Sequence, residues 1–198
     1  MTRIRPVLNV LVMFRRIVLL AILLGAVVFY PLTAPAPLVY TPGEGWSWEP
    51  VGGEGKWQRG RAQDQLAVAR DAFLRQDYRT TLKAARRVVR VWPLSDYAPE
   101  AQYLVARSHE ARQQDEKAFA QYQKILTQYP KTDQADEVLR RQYLIAERFL
   151  GGQRFKLWGV IPLFPSMDRT AGMFEKVVEH GPFSEVAPHA QLRVGAAR

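Results

Sequence analysis

Apolar positions divide this chain into three regimes. Residues 17–30 are one unbroken apolar run. Residues 35–57 carry no apolar periodicity, because Pro35, Pro37, Pro42 and Pro50 and five glycines interrupt them. From residue 58 onward apolar residues recur at intervals of three and four. Examples are Tyr122, Ile125, Leu126 and Tyr129, and then Phe174, Val177 and Val178. That spacing builds one-sided helices. Ala69, Ala106 and Ala146 fall midway along predicted first helices, where a small residue lets two helices approach closely. No stretch alternates with period two, so the pattern predicts an all-α chain with no sheet.

The helical region repeats itself. Pro93, Pro130 and Pro182 each begin a similar stretch, with Ser or Thr two residues on, an acid at three and Ala at five. Gln102-Tyr-Leu-Val-Ala106 recurs as Gln142-Tyr-Leu-Ile-Ala146. Proline after a helix stops it. Ser95, Thr132 and Ser184, or the acids beside them, are expected to cap the next helix. Pro99 and Pro188 suit a first helical turn. Helix pairs are thus expected over 58–93, 94–130 and 131–182, with 183–198 an incomplete fourth unit. Helix five is expected to run to about Leu150 and stop at Gly151-Gly152. An insertion over 153–168 then precedes a helix over 173–180. The chain stops after one helix of its last pair, which reads as a fragment or as a domain whose last helix needs a partner. Leu192 and Val194 are then expected on an incompletely covered face.

The first regime reads as an address. Arg3, Arg5, Arg15 and Arg16 precede the apolar run, and Pro31 with small residues comes after it. This basic-then-apolar order over 1–36 is that of a signal peptide or signal anchor, and it exports the C-terminal part of the chain. Pro37 disfavours cleavage after Ala36, so a retained anchor and a cleaved signal both fit. Residues 37–57 are a Pro/Gly/Trp-rich linker, whose Trp46, Trp48 and Trp57 either pack back on the first helix pair or dock a partner.

The proline-phased unit resembles the tetratricopeptide repeat. Ala69 and Ala106 fall on its small position, Asp77-Tyr78 on its turn, and Ala118 and Tyr122 on its second-helix seam. The turn glycines are missing from the first two units, and Thr81 stands where alanine is usual. The resemblance implies a helical-hairpin solenoid of about three and a half repeats, preceded by an N-terminal apolar helix and the linker. The post-proline signature, the aromatic insertion in the third unit and the leader with Pro42-Gly-Glu-Gly-Trp46 beyond it are similar to the BamD-like subunits of outer-membrane β-barrel assembly. CpoB-like envelope adaptors share the signature but not the insertion. The resemblance implies a non-catalytic periplasmic scaffold. Its partners would be a β-barrel insertase and unfolded outer-membrane proteins, with membrane attachment through the N-terminal segment if that is uncleaved. The chain has no cysteine and therefore lacks the acylated residue usual in that family. The alternative is another envelope repeat adaptor, in cell division or an export complex.

Repeat geometry places first helices on the concave face. Arg70, Phe73, Tyr103, Arg107, Tyr143 and Glu147 are candidate partner contacts there, as aromatic area and bidentate guanidinium groups suit extended peptides. In the insertion, Phe155, Leu157, Trp158, Val160, Ile161, Leu163 and Phe164 are too apolar for a solvated loop. They pack on the array or dock a partner or membrane, with Phe155, Trp158 and Phe164 as candidate contacts.

Charge refines this picture. The net +9 resolves into +4 over 1–36, −2 over 37–56, +6 over 57–93 and +1 over 94–198. Arg79, Lys83, Arg86, Arg87 and Arg90 form a basic stripe on the second helix. It is either a solvated face or a contact for anionic headgroups or an acidic partner. Nucleic acid is not expected as a partner of an exported chain. His109 reads as a satisfied core histidine, and His180 as a helix-end cation. No metal-ligand spacing or nucleophile motif occurs, so neither an enzyme, a cofactor nor a small-molecule substrate is expected.

Overall fold

The computed structural model describes residues 38–43, 45–48, 57–157, 161–162 and 165–198. All belong to one unit, Pro37–Arg198. The expected leader and apolar helix lie outside the described residues, as do Trp158 and Phe164 of the insertion.

Seven helices are described: α1 (Ala62–Leu74), α2 (Tyr78–Val91), α3 (Ala98–Ala111), α4 (Asp115–Gln128), α5 (Ala135–Leu150), α6 (Met167–His180) and α7 (Ala187–Ala196). Each packs on the next, and the first helices of the first two units, α1 and α3, also touch. This is the connectivity of a helical-hairpin solenoid.

The turn inside each pair has one construction. Gln76 donates its N–H to Phe73 O, and Asp77 donates to Ala72 O. Gln113 and Gln114 repeat this to Glu110 O and His109 O, and Gly152 and Gln153 to Phe149 O and Arg148 O. These are Schellman closures, which need a left-handed residue just past the helix. The residues concerned are Gln76 at φ 59°, Gln113 at φ 55° and Gly152 at φ 98°. The first two units therefore make the glycine turn without glycine.

The turn between pairs departs from expectation. Ser95, Thr132 and Ser184 are not N-caps; α3, α5 and α7 start after Tyr97, Gln134 and Val186 with no side-chain cap. Two residues separate each Ser or Thr from the helix, which is too far for its oxygen to reach the first-turn amides. Ser95 and Ser184 instead donate backward to Trp92 O and Gly181 O, at 2.9 and 2.7 Å. Their backbone carbonyls, with that of Thr132, accept from Ala98, Ala187 and Ala135. Pro99 and Pro188 do occupy first turns. Among the described residues, side-chain caps occur only where acid or serine adjoins the helix, at Asp77 on α2 and Ser166 on α6. The Ser166 cap starts α6 at residue 167 rather than 173, so its first two residues come from the expected insertion.

Two cores run along the array. Leu66, Ala69, Leu82, Ala85, Val88 and Val105 form the first. Phe119, Tyr122, Ile125, Ile145, Phe149 and Phe174 anchor a larger second one. Each buried aromatic of that kind contributes about 2–3 kcal/mol of transfer free energy. A buried glutamine recurs among them, in Gln65, Gln102 and Gln142. Gln65 bonds the backbone at Trp57 and Arg59, Gln102 bonds Gln121, and Gln142 bonds Gln123.

The expectation of no sheet holds for the helix pairs but not for the linker and the insertion. In the linker, β1 (Leu38–Thr41) pairs antiparallel with β2 (Gly45–Trp48). Tyr40 lies opposite Trp46, with ring centroids 5.3 Å apart. Gly43 and Gly45, both at positive φ, make the turn. Glycine density was thus a hairpin signal rather than a bar to strands. Gly43 O accepts from the Asp96 N–H at 2.8 Å, which ties the ribbon to the α2–α3 turn. In the insertion, β3 (Lys156–Leu157) pairs with β4 (Ile161–Pro162).

Candidate functional site

The first-helix face is a ladder of guanidinium groups, carboxylates and phenols. At one end Arg70 of α1 forms a two-point ion pair with Glu100 of α3. Next, the Arg107 guanidinium lies 5.6 Å from the Phe73 ring and 5.8 Å from the Tyr103 ring. It donates to Tyr103 Oη at 3.2 Å. Arg141 of α5 donates to the same oxygen at 3.1 Å and to Glu110 Oε2 at 3.2 Å. Arg148, two turns further along α5, bridges Glu110 and Asp115, and Gln153 reaches Asp115 at 2.7 Å. At the far end Glu147 accepts from Tyr143 Oη at 2.7 Å and from Arg193 Nε of α7 at 2.6 Å.

The six residues expected on this face fall into three groups along it: Arg70 with Glu100, then Phe73, Tyr103 and Arg107 with Arg141, and then Tyr143 and Glu147 with Arg193. Sequence reasoning missed Glu100, Glu110, Asp115, Arg141, Arg148 and Arg193. The available signal was a charge change. Arg70, Arg107 and Glu147 hold the same repeat position; Arg70 and Glu147 meet the opposite charge on the next first helix, at Glu100 and Arg193, and Arg107 meets Glu110 on its own helix.

Glu110 is the most shared acceptor, and beneath it lies Tyr122, fully buried, whose hydroxyl donates to Glu110 Oε2 at 2.7 Å. Burial, and then the adjacent carboxylate, push the Tyr122 phenol well above its ordinary value. Burial and the Glu147 hydrogen bond raise Tyr143 in the same way. Both phenols stay neutral donors.

Beside the ladder, Arg107, Glu110, Asp115, Arg141, Arg148 and Arg154 line a cleft of about 710 Å³. Both acids form its floor and are occupied by internal bonds. This leaves an arginine-rich rim suited to carboxylates. Leu192 holds the repeat position of Tyr103 and Tyr143 and is 75% exposed. Val194, expected beside it on an uncovered face, is half-buried against the second core.

The basic stripe divides by role. Arg86 reaches back to the histidine of the next helix, with Nη2 3.0 Å from His109 Nε2. Nε2 therefore accepts, and Nδ1–H donates to Gln114 Oε1 at 2.7 Å. His109 is 5% exposed. Its burial, with the nearby charges of Arg86, Lys117 and Arg112, depresses its pKa below the usual 6.5. Arg87 lies 5.7 Å from the Trp92 ring. Arg79, Lys83 and Arg90 are exposed and have no carboxylate partner among the described residues. Like charges three or four apart cost a helix about 0.2–0.5 kcal/mol per pair, and α2 carries several such pairs on its outer side.

In the insertion, the described aromatic is Phe155. Phe155 is 3% exposed. It stacks on Phe149 at 4.3 Å, and the Arg169 guanidinium covers its other side at 4.1 Å. The packing alternative thus describes Phe155.

Among the described residues no cluster of three or more His, Asp or Glu could hold a metal ion. Nor, among them, is any helix long and apolar enough to cross a membrane. The tetratricopeptide repeat family matches residues 100–132, which span α3, α4 and the turn beyond them. No curated protein matches the chain. Tetratricopeptide repeats are protein-interaction scaffolds, and the match supports that superfamily for this helical array.

Proposed function

We propose that this chain is a non-catalytic scaffold of the cell envelope that holds an extended peptide segment of a partner on its first-helix face. The observation that carries this is the succession of three such groups along the first helices. Aromatic rings and guanidinium groups from α1, α3, α5 and α7 line one surface, rather than being scattered over several. Glu110 and the buried Asp115 hold Arg141 and Arg148 in place, so less of their side-chain entropy remains to be lost on binding. Rings then supply contact area, and guanidinium forks bind peptide carbonyls or carboxylates.

The finer reading is a BamD-type role: an exported, membrane-associated scaffold that supports outer-membrane β-barrel assembly by engaging the insertase and unfolded barrel precursors. The leader pattern and the aromatic insertion in the third unit support it. A photoreactive amino acid at Leu192, exposed at the end of the face, tests it by capturing neighbours in cells. The expected captures are a β-barrel insertase and barrel precursors, with fewer folded barrel proteins after depletion of the chain. Capture of other envelope proteins, with barrel levels unaltered, would point to the cell-division or export adaptor instead.

A further inference from the structure

The outer positions of the second helices carry a charge gradient. Arg79, Lys83, Arg86 and Arg90 of α2 fall at spacings of four, seven and eleven residues from the first, within a narrow strip opposite its buried residues. Over eleven residues the strip is about 16 Å long. Counting back from the closing prolines, the same positions hold Glu116, Ala120, Gln123 and Thr127 in α4. In α6 they hold Asp168, Gly172, Glu175 and Glu179. In formal charge the strip therefore runs from +4 through −1 to −3 along the array, with Glu116 paired to Arg169 and Glu175 to Arg198. The fold does not require cations there, since two other second helices do without them. Self-repulsion on α2 is retained although neutral residues fit.

We propose that the outer face of α2 is a docking surface for an anionic lipid bilayer, and that the acidic face of α6 keeps the far repeat off it. Lipid is favoured over an acidic protein by the chain itself. The basic unit directly succeeds the linker from a leader that is basic and then apolar. A row of long exposed cationic side chains along one helix face fits a plane of headgroups. Arg79, Lys83 and Arg90 spend no charge on internal partners among the described residues, so all three remain available for phosphate. Each cation near such a surface adds to the attraction, and the effect fades within a screening length. The inference is independent of the ligand held by the first-helix face.

The chain has no cysteine, so one introduced cysteine labels a single place. The full chain would be reconstituted in vesicles, labelled at Thr80→Cys on α2 or Ala196→Cys on α7, and quenched by headgroup-linked quenchers. The α2 label should be quenched in phosphatidylcholine containing roughly 30% phosphatidylglycerol, and at least about tenfold less in pure phosphatidylcholine. The α7 label should be spared in both. Quenching should disappear near 0.5 M salt, where screening acts within roughly 5 Å. It should also disappear in the Arg79→Gln, Lys83→Gln, Arg90→Gln variant, with its helical circular dichroism retained. Arg79→Lys with Arg90→Lys should keep it. Equal quenching in anionic and neutral vesicles, or a triple variant that behaves as wild type, overturns the proposal. So does salt-sensitive self-association of the chain, or capture of polyglutamate in preference to vesicles, through the same three residues.

Discussion

The Tyr122 hydroxyl donates to Glu110 Oε2 at 2.7 Å, so a core ring of α4 supports the carboxylate shared by Arg141 and Arg148 on the opposite face. Tyr122→Phe keeps the ring and removes the donor. It should cost about 1 kcal/mol in chemical denaturation. Glu110→Ala should cost more, about 2 kcal/mol, because it strands a buried hydroxyl, while Arg141 keeps Glu137 and Arg148 keeps Asp115. Tyr122 is held neutral in the folded state. Its contribution to stability is therefore full below the ordinary phenol range near pH 10, and is lost above it as the unfolded chain ionises. An ultraviolet titration should show at least two tyrosines fewer than the full complement near pH 10 until unfolding, Tyr122 and Tyr143. A full complement there would remove the buried-donor assignment.

His109 imposes a dependence at the other end of the scale. Its folded pKa lies below the unfolded value of 6.5. Above 6.5 both states are neutral and the folded chain has its full stability. As pH falls through 6.5 the unfolded chain takes up a proton that the folded chain resists, and stability drops. Melting temperature should fall between about pH 7 and pH 5 in wild type, and fall less in His109→Gln. Equal slopes would mean that other groups govern this window.

The turn residues offer gains rather than losses. Gln76 and Gln113 adopt left-handed backbone, which costs an L-residue about 1–2 kcal/mol. Gln76→Gly and Gln113→Gly should each raise stability by about 0.5–1 kcal/mol, after the entropy of glycine in the unfolded chain is deducted. Gly152→Ala, at φ 98°, should lower it by a similar amount. Thermal melts of the three variants give the signs directly.

The same turns show what the sequence could and could not carry. Proline phasing and recurring apolar residues located the helix pairs, because burial on a repeating seam imposes a repeating pattern. The missing turn glycines were visible, but the backbone they leave strained was not, since it depends on hydrogen bonds to the preceding turn. The Ser95 and Ser184 caps were misread because composition does not report a two-residue offset from the helix start. The first-helix candidates could be placed by repeat position. Their ion-pair partners could not, because Arg141 and Glu110 are 31 residues apart and meet only through packing. The linker ribbon escaped because it rests on one cross-strand aromatic pair and two glycines, too short a pattern for periodicity to register.

Phe155 separates the two roles open to the insertion. Phe149 stacks on one side at an interplanar angle of 14°, and the Arg169 guanidinium covers the other. A ring enclosed in this way anchors the insertion to α5 and α6. Phe155→Ala should therefore cost about 3–5 kcal/mol. It should also expose the insertion to protease. Arg169 is about half-exposed, and its contact to Glu116 is at 3.3 Å. Arg169→Ala should then cost only about 0.5–1 kcal/mol, from the lost cation–π contact. A docking role for Phe155 alone predicts the reverse, with stability unchanged on Phe155→Ala and partner capture lost. Urea denaturation with limited proteolysis of both variants decides between them, because only an anchor couples the stability of the array to cleavage of the insertion.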